Sequence, residues 1–261
     1  MKEDPPTYAA YAAATRVNWR SSWDDDATGV WIRGGHPLDQ HDHQDRGHVN
    51  LIWRGRPILI EAGGCSYDND ERLRLYKSGV GHNVLQSGTT MPPTPPSGAG
   101  MEPVPGWQLA FPKGEGRSVP MAVNALNPGG GCVSLDPAPQ YERLDSWRRT
   151  VTWSARKLVV EDEVTLLEGE REKDIILFRW HLGTEEEVVL ETGADSITAR
   201  WECATLELSA DCPIEVTQIQ LPDVTLWRPD RTETGDATHT CLVVQTKQPV
   251  WRFSLTTEVR P

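Results

Sequence analysis

With 261 residues the chain can bury a sizeable core without disulfide staples, and its formal net charge of −12 with a pI near 5.0 excludes a protein that wraps a nucleic-acid backbone, which calls for a basic face. The same acidic field would repel an acidic polysaccharide, so binding one demands local cations, and Arg46, Arg54, Arg56, Arg72 and Arg74 are the candidates beside a metal ion. Five cysteines without a CxxC pair exclude a thiolate zinc knuckle or a thioredoxin-type motif and read mostly as reduced core residues.

From the N-terminus, MKEDPPTYAAYAAATRVNW carries charges and two prolines where a secretion signal has an apolar core, and no later stretch approaches the ~20 apolar residues of a membrane span. No signal peptide and no membrane partner are expected in these residues. Residues 8–15 (YAAYAAAT) form the one good helical candidate, too short to stand alone.

Residues 34–48 then place four of the seven histidines within thirteen positions. In an extended segment His41, His43 and Asp45 point one way while Asp42 and Gln44 point the other, so two imidazoles and a carboxylate converge. Those are ordinary ligands of zinc and similar borderline metals.

HVNLIW (48–53) and RPILIEAG (56–63) are apolar β-rich runs joined through Arg54-Gly55-Arg56-Pro57, which suits a hairpin. Glu61 is a lone acid in an apolar run, and burying a carboxylate unpaired costs several kcal/mol, so a metal or a proton is expected on it. Simple antiparallel pairing sets Glu61 opposite residue 50 rather than 43, and bringing it to His43 requires a bend, a bulge or an adjacent strand. SGVGHNVLQSG next supplies His82 and Asn83, completing a set of two histidines and one carboxylate.

Residues 86–107 are rich in Pro and Gly and predict a long loop, because proline supplies no N–H to a ladder. A second turn-rich region spans 127–140. From Asp145 onward, alternation recurs in SWRRTVTW, KLVVEDEVTLL, DIILFRWHL, VVLETG, SITARWECATLELS, IEVTQIQL, TCLVVQT and WRFSLTT. Strands at that spacing without helices predict an all-β fold, an antiparallel β-sandwich of two large sheets with little helix, as one domain over 1–261 interrupted by the 86–107 loop. The eleven tryptophans against three phenylalanines read mainly as inter-sheet core, with Trp23, Trp53 and Trp107 as candidates to stack on sugar rings.

The ordered motifs R-S-x-W-D-D-D-A-T (20–28), G-G-H (34–36), H-x-H-x-D-x-G (41–47), R-G-R-P-I-L-I-E-A-G (54–63), S-Y (66–67) and S-x-x-x-H-N-V (78–84) resemble the heparinase II/III-like domain, densely over residues 15–90. The later W-R-R-T-V-T-W, L-V-V-E-D-E-V and F-R-W-H-L are similar to that family's later sandwich strands. The resemblance implies a polysaccharide lyase that cleaves uronate-containing glycans, such as glycosaminoglycans or alginate, by β-elimination, in a periplasmic or secreted setting. It implies zinc on His43, Glu61 and His82, a substrate-facing catalytic His41, and a catalytic Tyr67 with Tyr76 second, while Arg46, Arg72, Tyr76 and Asn83 would line the substrate.

Two departures from the pattern stand out. Glu61 replaces the family's usual Asp, moving the carboxylate by about one bond length, and the family's N-terminal helical toroid, which supplies an Asn or His neutraliser and a Tyr, has no counterpart in these residues. An upstream toroid would then be the partner domain. Two other readings fit the same residues. One is a non-catalytic carbohydrate-binding or assembly module with a structural metal. The other is a cupin-like metalloenzyme, whose two-histidine-carboxylate pattern usually has shorter spacing than His43 to Glu61.

Overall fold

The computed structural model describes residues 5–35, 43–63, 78–88, 119–141, 143–170, 175–222 and 238–261. Period-two alternation is the dominant signal in them: along Leu144–Ser154, Trp147, Arg149, Val151 and Trp153 are buried while the residues between them reach solvent. The strands, in chain order, are β1 Tyr8–Tyr11, β2 Arg16–Arg20, β3 Gly29–Arg33, β4 Val49–Trp53, β5 Arg56–Leu59, β6 Leu85–Gly88, β7 Met121–Asn127, β8 Gly130–Leu135 and β9 Leu144–Ser154. They continue with β10 Lys157–Leu166, β11 Ile175–His181, β12 Val189–Thr192, β13 Ile197–Trp201, β14 Ala204–Ala210, β15 Ile214–Pro222, β16 Thr238–Thr246 and β17 Arg252–Arg260. Among the described residues helix is limited to single 3-10 turns, and no helix is long and apolar enough to cross a membrane.

Strands β12-β13-β14-β17-β10-β9-β8-β7 form one antiparallel layer. The facing layer joins a meander, β1 to β5, to the four-stranded sheet β15-β16-β11-β6. A bridge between Leu59 and Leu182 makes that joint, with Ile60 N donating to His181 O and Gly183 N to Ile58 O. The expected sandwich of two large sheets is therefore observed.

Between the layers lie Trp19, Val30 and Ile32 from the meander, Phe178, Trp180 and Leu242 from the four-stranded sheet, and Trp147, Val151, Val160 and Leu206 from the eight-stranded one. Trp147 meets Phe178 edge-on, with centroids 6.1 Å apart. Each such ring removes ~200 Å² from water, roughly 5 kcal/mol before entropy. Trp23 and Trp251, by contrast, are about half exposed, at 48% and 51%. Trp107 lies outside the described residues.

Two expectations need correction. Residues 8–15 are not helical: Tyr8–Tyr11 pairs with Arg16–Arg20, Tyr8 opposite Trp19, and Thr15 closes the turn with φ 43. Five alanines favour helix locally, but so short a helix cannot stand alone, and the hairpin gives each residue of Tyr8–Tyr11 a sheet partner. The turn-rich 127–140 region holds a full strand, because β7 and β8 form a hairpin turning at Asn127–Gly130. Of the 86–107 loop, Gln86–Gly88 belongs to β6 and residues 89–107 lie outside the described residues. Cys132, Cys203, Cys212 and Cys241 are unpaired thiols, and of these Cys241 alone is fully buried.

Candidate metal centre

The hairpin β4–β5 turns on Arg54 and Gly55, both at positive φ (47° and 75°), the pair of left-handed residues that a tight two-residue turn needs. A register shift follows at once. Ile52 pairs with Pro57 but Leu51 with Leu59, so Ile58 is an extra residue on β5, which bulges and bends there. Beyond Leu59 the chain leaves β4, and Ile60 hydrogen-bonds to His181 and Ala62 to Gly81. Glu61 is thereby carried away from residue 50 and toward the segment that holds His82. The bend anticipated from pairing arithmetic is this bulge together with the change of neighbour.

His82 ends a single 3-10 turn, Gly79–Gly81, whose N-cap Ser78 accepts a hydrogen bond from Val80 N. Asn83 locks the next position: its amide donates to Val49 O and Ile60 O and its oxygen accepts from His181 N. One side chain thus ties together four segments around Glu61 and His82.

His43, Glu61 and His82 each offer a ligand atom, all within 4.8 Å of one another. His43 Nδ1 lies 3.8 Å from Glu61 Oε1, and the His43 and His82 rings are 5.3 Å apart. Donors around a tetrahedral ion with 2.0–2.1 Å bonds are ~3.3 Å apart, so small side-chain adjustments would close the set on one cation. His82 is fully buried, whereas His43 and Glu61 reach the surface. Although 36% of its side chain is exposed, Glu61 is pushed up to about 7, first by burial and then by the charge of Asp45. A carboxylate raised in that way is one that a bound cation would restore to its charged form.

Asp45 does not join the set that alternation suggested. It forms ion pairs with Arg33 and Arg46, because the turn at Arg46 and Gly47 breaks the extended run. Arg46, expected on the substrate side, is 1% exposed and holds the loop through Asp45 and the His43 carbonyl. Gly35 makes room for it, since a Cβ there would come within 2.4 Å of the guanidinium. Asn83 is equally buried and engaged with backbone, so neither residue faces a cleft. His41, Tyr67, Arg72, Tyr76 and Arg74 lie outside the described residues.

Sequence reading missed Arg149, which reaches the site from the opposite layer. Its guanidinium donates to Asp162 through Nε and Nη2, and through Nη1 to Gly47 O and Asn83 O. Trp147 Nε1 also donates to Asp162. The signal was present: Arg149 and Asp162 occupy inward positions of alternating strands and stand opposite each other in register.

Three more histidines surround the triad. His48 packs edge-on to His82, bonds Asn50 through Nε2 and accepts Asn83 N at Nδ1, and burial lowers it to about 4. His181 and His239 join ring to ring at 2.8 Å; burial lowers His239 to about 4 and His181 further. A cavity of about 500 Å³ opens on the outer side of the triad, bordered by Arg16, Asn18, Trp31, Arg33, His43 and Glu61. A second, of about 350 Å³, adjoins the other side of Glu61 and is lined by acids, Trp201 and His239.

The family described as Heparinase II/III-like, C-terminal matches residues 9–256. Among solved structures, the heparan sulfate lyase HepC from Pedobacter heparinus aligns at a TM-score of 0.68 and 16% identity, over 100% of this chain and 37% of that one. A heparinase III aligns at 0.67 and 16% identity, over 99% of this chain and 37% of its own. The chain thus spans little more than a third of the length of these structures, and at such identity they speak to fold alone. No curated protein matches by sequence.

Proposed function

The chain belongs to the family Heparinase II/III-like, C-terminal, and on that premise we propose that it is the metal-binding β-sandwich, one domain over 1–261, of a polysaccharide lyase acting on uronate-containing glycans. The observation that carries the reading is the convergence of His43, Glu61 and His82 from three separate segments onto one point. Two imidazoles and a carboxylate suit zinc, which when bound would supply charge that fixes the three segments together. A periplasmic or secreted setting accompanies the family.

β-Elimination removes the proton at C5 of a uronate, forms the C4–C5 double bond and breaks the C4–O bond, so it needs a neutraliser for the carboxylate, a base and an acid. His41 and Tyr67 are this chain's candidates for proton transfer. The remaining roles fall to an upstream helical domain. Each missing electrostatic contact typically costs ~100-fold or more in rate, so these 261 residues alone should turn over slowly or not at all.

The purified chain should carry about one zinc per molecule, and alanine at His43, Glu61 or His82 should each release it. Formation of the ultraviolet-absorbing unsaturated uronate from heparan sulfate and alginate should be weak, and absent in His41→Ala. Full metal retention in all three ligand variants would overturn the site.

A further inference from the structure

We propose that the outer face of the five-stranded sheet, around Arg16, Asn18, Trp31 and Arg33, is a subsite for an anionic sugar unit, a proposal that rests on the lyase reading above. Strand pairing fixes which side chains share this face. Asn18, Trp31 and Asn50 stand in one cross-strand row, because Asn18 pairs with Trp31 and Trp31 with Asn50. Tyr11, Arg16 and Arg33 form the adjoining row, and Arg33 N continues it by donating to His48 O. Opposite partners in neighbouring strands project to the same side, so these residues line one groove rather than scattering over two faces.

Their chemistry suits a charged sugar. The Trp31 indole lies down along its own strand over Gly29, where a Cβ would meet the ring at 2.4 Å, and so presents a flat plane to which the C–H face of a pyranose can stack. Arg16 is exposed and makes no ion pair among the described residues, in a chain of net charge −12. Arg33 spends Nε on Asp45. Guanidiniums recognise carboxylate or sulfate in two-pronged fashion. The groove, about 500 Å³, runs to His43 and Glu61, so a glycan laid along it reaches the metal triad. Arg16 and Arg33 are thus the local cations that an acidic chain needs to hold an acidic polymer, in place of the buried Arg46.

Calorimetry on the full chain tests this with three tetrasaccharides: a sulfated heparin fragment, its desulfated counterpart, which keeps the uronate carboxylates, and neutral chitotetraose. The wild type should bind the sulfated fragment and not chitotetraose, and the desulfated fragment shows which acidic group is read. Arg16→Ala and Trp31→Ala should each weaken binding about tenfold, and Trp31→Phe less, with metal content and melting temperature unchanged. Loss on desulfation alone identifies sulfate as the recognised group, and equal binding of both acidic fragments identifies carboxylate. Unchanged affinity in Arg16→Ala and Trp31→Ala overturns the subsite while leaving the lyase reading in place. Equal binding of chitotetraose, or no binding of either acidic fragment, also overturns it. Failure of the metal site assigned above would show separately, as metal retained in all three ligand variants.

Discussion

Two arginine–aspartate pairs flank the metal triad, and their surroundings separate their roles. Arg149 and Asp162 sit between the layers with no exposure at all, every nitrogen of the guanidinium hydrogen-bonded and a tryptophan N–H added to the carboxylate. Arg33 and Asp45 sit where the sheet meets the groove, the arginine side chain 20% exposed. A dry pair adds little net energy as a pair, but it cannot be broken without stranding its partner. Here it also holds the carbonyls of Gly47 and Asn83, which adjoin His48 and His82. The wetter pair is cheap to alter and instead sets the charge that a ligand or cation meets.

The largest expected effect lies in the dry pair. Arg149→Ala should cost about 3–5 kcal/mol in urea denaturation, because Asp162 and two backbone carbonyls lose their partners together. Arg149→Lys should recover little of it, since an ammonium cannot reproduce a planar fork. Both should also lose metal, although neither touches it. A cost under about 1 kcal/mol would show that the loops are held by something other than this network.

Acid should act on the same loops from another direction. His48 and His239 are lowered to about 4, and His181 further, mainly by burial. A depressed base contributes stability that is present above its unfolded value near 6.5 and is lost as pH falls toward 4. For His239 that amounts to roughly 3 kcal/mol at most. The metal-free chain should therefore lose stability steadily between pH 6.5 and 4, and His239→Asn should flatten that slope. A stability that is level across this window would show that the imidazoles are not buried as neutral groups.

Legibility divided along similar lines. The sandwich was readable where strands alternate strongly, as in β9, β10 and β17, because one buried face leaves a period of two. The alanine-rich Tyr8–Tyr11 was not readable, since its strand exists only through pairing with β2. Of the site, the types and order of His43, Glu61 and His82 were visible. The bulge at Ile58, opposite Leu51 and Ile52, that brings Glu61 across was visible only as a requirement. Arg46 and Asn83 were misplaced because residue type does not say whether a polar group is spent on substrate or on backbone. Arg16, Trp31 and Arg33 lie in short strands that sequence reading left without a face, so their common groove emerged only from register.

The smallest effect, and the finest test of the comparison, is Asp45→Asn. Asparagine keeps an oxygen for Arg46 and Arg33, so the stability cost should be only about 1 kcal/mol. Its electrical effect is more specific. Glu61 is pushed up to about 7 in the metal-free protein by burial first and by Asp45 second, with Arg33 opposing. A cation can take that carboxylate only as the proton leaves, so metal uptake should rise with pH toward 7 and level off above it. Removing the Asp45 charge lowers the value for Glu61 and leaves Arg33 opposing without its counter-ion. The pH midpoint of zinc uptake should accordingly move to lower pH. The affinity on the plateau should fall at the same time, because two guanidiniums then face the incoming cation with no carboxylate between. Competitive zinc titrations at several pH values separate the two shifts. A midpoint that stays put or moves upward would show that Asp45 does not reach Glu61, and that the wetter pair is as purely structural as the dry one.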